Sequence, residues 1–189
     1  LTFDEMQAGF ARTGKAFGFQ HYNIIPDLIC CGKGMGNGYP LSGVIGKKEI
    51  MDLPEVGNMS STHSANPMAC AVGLAVIEEI ESLNLIQETQ RKGSILRDRL
   101  ENIKVKSNGR ISHILGEGLI AAILFQTPDK KADSLIASKI SEMCYENGLL
   151  VVHTGRESIK LGPPLTISDD ALMEGLSVLE EAIIKLISK

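Results

Sequence analysis

Gly32, Gly34, Gly36 and Gly38 alternate through the stretch Gly32-Lys33-Gly34-Met35-Gly36-Asn37-Gly38, directly after the apolar run Leu28-Ile29-Cys30-Cys31. Each glycine inside a regular element costs roughly 0.5–1 kcal/mol against alanine, so neither strand nor helix continues through such a run. The chain must leave a short strand and turn. Pro40 then blocks a helix shortly after the last of these glycines. Two glycine motifs that bind nucleotides are set aside. The phosphate loop requires Ser or Thr after Gly-Lys, and here Gly34 follows Lys33. The dinucleotide fingerprint requires glycines that open a helix. What remains singular is Lys33 itself, with small neighbours on both sides. A lysine partly desolvated in such a place has its pKa lowered from about 10.4, and its free amine becomes a nucleophile. Schiff-base formation with an aldehyde cofactor fits this chemistry; a lysine on a flexible turn is the plainer alternative.

Bulk properties narrow the classes. The 189 residues are 43% hydrophobic and 22% charged, which is ordinary for a globular chain and argues against dominant disorder. The net charge of −4 removes the broad basic footprint of a nucleic-acid binder. Aromatics at 4%, with no Trp, leave few stacking platforms for single strands. No apolar run reaches the length of a membrane span, and no signal peptide is recognisable. Cys30, Cys31, Cys70 and Cys144 have neither metal-ligand nor CxxC spacing. They are expected to be buried free thiols in a reducing compartment, the cytoplasm, and no metal site is expected.

The pattern along the chain predicts an α/β part followed by a compact α+β unit. Leu1-Thr2-Phe3 reads as the end of a buried strand closed by Asp4; Pro26–Cys31 reads as a second, and Tyr39–Gly46 as a loop with a third. Asn66-Pro67 is an N-cap followed by proline at the first helical position. The helix it opens is apolar nearly all round from Met68 to Ile80, which predicts burial of its first half. A break is expected near Asn84, then a more polar helix from Ile86 to about Asn102, weakened by Gly93. Further on, Leu119–Phe125, Leu149–Val152 and Ser158–Leu161 read as strands. Thr127-Pro128 is expected to open a helix closed by Asn147-Gly148. Ser168 caps a final helix with Leu172, Leu176, Leu179, Ile183 and Leu186 on one side, and Lys185 and Lys189 suit its C-terminal dipole.

Three other positions attract attention. Asp4 ends a strand, where ligands bind in open α/β sheets, and could keep a ring nitrogen protonated; alternatively it caps the next turn. Gln7 is close enough to offer an amide to the same ligand. Ser60-Ser61-Thr62 precede a helix N-terminus, a setting that suits phosphate, although a serine-rich loop is the plainer reading. His63 reads as a surface histidine, and His21, His113 and His153 as structural or exposed.

Taken together, four separated motifs resemble the class III (omega-type) aminotransferases, fold type I of the pyridoxal-phosphate enzymes. Phe3-Asp4-Glu5-Met6-Gln7-Ala8-Gly9-Phe10-Ala11-Arg12-Thr13-Gly14 is similar to the family's FDEVQTGFGRTG. Pro26-Asp27, Gly32-Lys33-Gly34 and Gly38-Tyr39-Pro40-Leu41 are similar to its PD, GKG and GGYPL elements. Ser61-Thr62 with Asn66-Pro67 and Cys70 resembles ST-x-x-x-NP-x-x-C, and Ile159-Lys160-Leu161-Gly162-Pro163-Pro164-Leu165 resembles IR-x-x-PPL. The resemblance implies that Lys33 holds pyridoxal phosphate as a Schiff base and later moves the substrate proton. It implies that Asp4 binds the pyridinium nitrogen, that Gln7 lies near the ring oxygen, and that Thr62 binds the phosphate of a neighbouring subunit in a homodimer. The implied substrates are an amino donor and a 2-oxo acid. Departures from the pattern include Met6 for Val, Ala8 for Thr, and Lys160 for an Arg that would grip a carboxylate with two bonds. Arg156 is the nearby substitute for that grip. Members of the family are longer, so the chain is expected to be a fragment that is inactive alone. Residues 1–85 would be the C-terminal part of the cofactor-binding large domain and residues 86–189 the small domain. The alternatives are another pyridoxal-phosphate reaction (aminomutase, lyase or decarboxylase) or a non-catalytic remnant.

Overall fold

A computed structural model describes residues 1–187, and Lys189 of the expected helix end lies outside them. The chain divides into two compact units, Leu1–Gln87 and Glu88–Lys189.

The first unit is built on a three-stranded sheet. Strands β1 (Thr2–Asp4) and β2 (Leu28–Cys31) run parallel, with Asp4 opposite Cys30, and β3 (Gly43–Gly46) returns antiparallel to β2. The connection from β1 to β2 is mostly turns and one 3-10 turn at Gly18–Tyr22. It is filled by aromatic side chains. Phe3 meets Phe19 edge-on, Phe17 stacks on Phe19 at 5.9 Å, and Phe10 meets Phe17 edge-on at 5.7 Å. The expected buried character of β1 is not found: Thr2 and Asp4, on one face, are exposed, and Phe3, on the other, is half-buried against the aromatic cluster.

A one-turn helix α1 (Lys48–Met51) and the long α2 (Pro67–Ser82) complete the unit. The Asn66 side chain caps α2 as expected, accepting from Met68 N at 2.9 Å and Ala69 N at 3.4 Å. The predicted burial of its first half is overturned. Only Ala69 and Gly73 are buried, while Met68 is 63% and Leu74 62% exposed. Just one stripe of α2 meets the unit. A Cβ on Gly73 would sit 2.8 Å from Leu41 Cδ2, so glycine is what allows that close approach. Leu41 lies in the segment that joins the turn after Lys33 to β3. Asn84, in the left-handed region at φ 51°, separates α2 from α3 (Leu85–Lys106).

The second unit carries an antiparallel sheet in the order β4 (Ile111–Glu117), β5 (Ile120–Phe125), β7 (Ser158–Leu161), β6 (Val152–His153). Leu96, Leu100 and Ile103 of α3 share its core with Ile136 and Ile140 of α4 (Ser134–Glu146) and Leu172, Leu176 and Leu179 of α5 (Asp169–Ile187). From the sheet, Ile123, Phe125 and Ile159 enter the same core. Gly93 does not interrupt α3, because a Cβ there would lie 2.6 Å from Gly118 Cα; the helix closes on the β4–β5 turn.

Helix α4 starts at Ser134 rather than at Thr127. Thr127 closes a turn with Lys131 through bonds of 2.8 and 3.1 Å, and Lys130 is left-handed at φ 67°. Asp133 is the cap, accepting from Ile136 N at 3.0 Å. The strand expected at Leu149–Val152 is two residues, Val152–His153. Strand β4 has no counterpart in the sequence reading.

Candidate active site

Asp4 is the last residue of β1, and Lys33 lies two residues beyond the end of β2. Parallel pairing therefore carries both to the same end of the sheet, the carboxyl end, where open α/β sheets bind ligands. Asp4 is exposed, and its Oδ1 accepts from Met6 N at 3.0 Å. The turn-capping alternative is thus real, and it coexists with a carboxylate facing outward. Gln7 stands exposed in the turn that Asp4 opens.

Lys33 begins a 3-10 turn, Lys33–Met35. Its carbonyl accepts from Gly36 N and Asn37 N, both at 3.1 Å, and its backbone is left-handed at φ 45°. That region is uncommon for a residue with a side chain, and such conformations persist where the surroundings hold them. The surroundings are close on two sides: a Cβ on Gly32 would lie 2.4 Å from Met6 Cε and one on Gly36 would lie 2.1 Å from Tyr39 O, while one on Gly34 would make an ordinary contact with Phe10 Cβ at 3.5 Å. The Lys33 side chain is exposed, not partly desolvated as expected.

Thr62 is exposed in a loop closed by Ser61 and Ser64, whose hydroxyls lie 3.1 Å apart. The N-terminus of α2 offers little to a phosphate, because Asn66 already takes the N–H groups of Met68 and Ala69. Only the Thr62 hydroxyl and its loop remain for that task, and no hydrogen bond joins Thr62 to Asp4 or Lys33 among the described residues.

Lys160 and Arg156 belong to the second unit. Lys160 is half-buried on β7, in register with Ala122 on one side and Val152 on the other, on the sheet face away from the core. Arg156 is exposed at the tip of the β6–β7 hairpin. There the His153 ring nitrogen Nε2 bonds its backbone carbonyl at 2.8 Å. Of the cysteines, Cys31 and Cys144 are buried, Cys30 is half-buried and Cys70 is exposed on α2; burial of all four is overturned. Burial and the nearby Glu5 carboxylate raise the Cys31 thiol.

Sequence reasoning missed Glu5. It is 1% exposed, and its carboxylate accepts from Gly18 N at 2.8 Å and Phe19 N at 2.7 Å. An acidic residue beside a strand end gave no sign of burial; its partners lie 13 and 14 positions away on a loop without periodicity.

Residues 1–183 match the family described as Aminotransferase class-III. The chain belongs to the class III aminotransferase family. It is 39% identical over 183 residues to a 4-aminobutyrate aminotransferase of Mycobacterium leprae, covering 95% of this chain and 41% of the relative. It is 38% identical over 188 residues to a leucine/methionine racemase of Thermococcus litoralis, covering 97% and 42%. Among solved structures, an acetylornithine aminotransferase from Elizabethkingia anophelis superposes with a TM-score of 0.86 at 34% identity, over 96% of this chain and 44% of that one. The α/β fold is therefore that of fold type I, and enzymes of this class III family depend on pyridoxal phosphate. The chain spans about two fifths of the length of the relatives it matches.

Proposed function

We propose that a polypeptide carrying this chain is a pyridoxal-phosphate aminotransferase that moves an amino group from an amine or amino acid to a 2-oxo acid. The observation that carries the reading is the placement of Asp4 and Lys33 at the ends of neighbouring parallel strands. The residues suit the group. An exposed primary amine stands on a turn after β2, and an exposed carboxylate ends β1 at the same sheet end. When bound, pyridoxal phosphate supplies an aldehyde carbon for an amine and a ring that accepts electrons.

Lys33 Nζ would hold the cofactor aldehyde, and once released by the incoming amine would carry a proton between two carbons of the substrate–cofactor pair. Asp4 would keep the ring nitrogen protonated and Gln7 would orient the ring oxygen. Thr62 would hold the phosphate across a homodimer interface. Lys160, with Arg156 beyond it, would face the substrate carboxylate as a point charge instead of a two-pronged clamp. In this reading the first unit is the C-terminal part of the large domain, the second is the small domain, and the protein works in the cytoplasm. The relatives' greater length supports a further expectation, that the 189 residues alone do not turn over.

The test is amino transfer by the polypeptide at the length of its relatives, with 4-aminobutyrate or N-acetylornithine as donor and a 2-oxo acid as acceptor. Formation of the new amino acid, abolished by Lys33→Ala and strongly reduced by Asp4→Ala, is expected. Turnover that survives Lys33→Ala refutes the assignment. The similarity to a racemase keeps a second reading, another reaction on the same cofactor. It predicts a change in the amino acid with no transfer to the 2-oxo acid.

A further inference from the structure

We propose that Glu5 is a positioning residue for Lys33, acting through the loop at residues 9–19; the proposal rests on the reading of Lys33 given above. Glu5 makes four hydrogen bonds. Its N–H donates to Cys30 O at 2.9 Å, its carbonyl accepts from Gly9 N at 3.0 Å, and its two carboxylate oxygens accept from Phe19 N and Gly18 N. It thus ties the end of β1 to β2 and to both ends of the loop. No lysine or arginine pairs with it among the described residues. A carboxylate kept out of water without a cation is costly unless backbone N–H groups satisfy it, and such charge-assisted bonds are short and directional. Gly18 is shaped to this clamp, since a Cβ there would sit 2.9 Å from Ala8 Cβ and 3.2 Å from Glu5 Oε2.

From the clamp, packing leads to the lysine. Phe17 precedes Gly18, and a Cβ on Gly9 would lie 3.2 Å from its ring. Phe10 meets that ring edge-on, and Phe10 and Ala11 are both left-handed, at φ 56° and 67°. Two consecutive strained residues persist only where the surroundings hold them. Phe10 in turn lies beside Gly34, the neighbour of Lys33, where an added Cβ would meet Phe10 Cβ in ordinary van der Waals contact at 3.5 Å. Release of the carboxylate clamp lets residues 10 and 11 relax, draws Phe10 back from Gly34 and frees the Lys33 turn from its left-handed backbone. The lysine is kept; its aim is lost.

The experiment compares wild type, Glu5→Gln, Phe10→Gly and the double variant as cofactor-loaded enzymes of relatives' length. Glu5→Gln keeps the volume but turns an amide NH2 toward one of the two N–H donors. Phe10→Gly leaves the clamp intact, suits a left-handed backbone and removes the side chain that lies between the Phe17 ring and the Gly34 side of the turn. The readouts are the pH midpoint of the cofactor absorption band, kcat and KM for the amino donor, and amide exchange at Gly18 and Phe19. Each single variant is expected to move the midpoint in the same direction and lower kcat about tenfold or more, with the larger change in kcat rather than KM. The double variant is expected to be no worse than Glu5→Gln. Only variants lacking the Glu5 carboxylate should speed exchange at Gly18 and Phe19. Faster exchange in Glu5→Gln with unchanged midpoint and kcat overturns the proposal, because Glu5 is then only a structural anchor. An unaffected Phe10→Gly overturns it too, and that variant decides alone if Glu5→Gln does not fold. A wild-type enzyme without cofactor on Lys33 overturns the site reading itself and the proposal with it, a result distinct from the other two.

Discussion

Replacing Gly93 with alanine sets two effects of opposite sign against each other. In the middle of an exposed helix, alanine stabilises by about 0.8–1.0 kcal/mol over glycine. At this position the new Cβ would lie 2.6 Å from Gly118 Cα and 2.9 Å from Gly118 C and O. Carbon atoms rest at about 3.5–4.0 Å, so α3 and the β4–β5 turn must part by roughly 0.9 Å. The atoms struck are backbone, and no side chain can swing away. The turn is Gly118-Leu119, and Leu119 is fully buried, so the displacement reaches the core. Overpacking of this kind costs about 1–3 kcal/mol, and the rigidity of the contact puts Gly93→Ala in the upper half of that range. The net expectation is a loss of about 1–2 kcal/mol. In a unit of this size each kcal/mol lowers the melting temperature by about 4–8 °C. Thermal unfolding followed by helix circular dichroism reads this, with Ser94→Ala as the control. Ser94 is exposed, and its hydroxyl only bonds back to Gln90 O at 3.2 Å, so alanine there should raise the midpoint slightly. If Gly93→Ala melts above wild type as Ser94→Ala does, the close approach of α3 to Gly118 is wrong.

Asp133→Ala should cost about 2–4 kcal/mol in urea unfolding. It removes the α4 cap and leaves Arg110, bonded at 2.7 Å to both Asp133 and Gln126 O, without its partly buried partner. A loss within about 0.5 kcal/mol of zero, the usual surface effect, would contradict both roles. Burial pushes the Cys144 thiol up to about 11 from 9.0. The unfolded chain therefore releases this proton first. The contribution to stability is full below pH 9 and fades as pH rises toward about 11, opposite to a paired carboxylate. Replacing Cys144 with alanine should remove that part of the alkaline decline, and identical slopes would refute it. A thiol reagent at neutral pH should label exposed Cys70 well before Cys144, as mass mapping of the modified peptides will show.

What was legible in the sequence follows physical locality. The Asn66 cap with Pro67, the break at Asn84, and the periodic apolar faces of α4 and α5 all arise from neighbouring residues, and the structure has them. Asp4 and Lys33 share a sheet end because each follows a short apolar strand. Strand β4 escaped because His113, Gly116 and Glu117 break its apolar alternation, and its pairing with β5 alone defines it. The start of α4 was misplaced because proline after threonine fits a turn as well as a first helical turn, and the Thr127–Lys131 bonds decide between them. Burial was misjudged for α2 and for Lys33 for one reason. Apolar composition and small neighbours say what a surface can bury, but not whether this chain supplies the cover. Glu5 and Gly93 are long-range cases, fixed by Gly18, Phe19 and Gly118 rather than by their neighbours.

The central claim is that Lys33 is the residue that bonds the cofactor. Borohydride reduction of the polypeptide in the presence of pyridoxal phosphate, followed by proteolysis and mass mapping, tests it most directly. The account predicts a single reduced pyridoxyl mark, on the peptide containing Gly32-Lys33-Gly34, that disappears in Lys33→Ala. A mark on another lysine in the wild-type protein, or one that persists at full yield in Lys33→Ala, would contradict it.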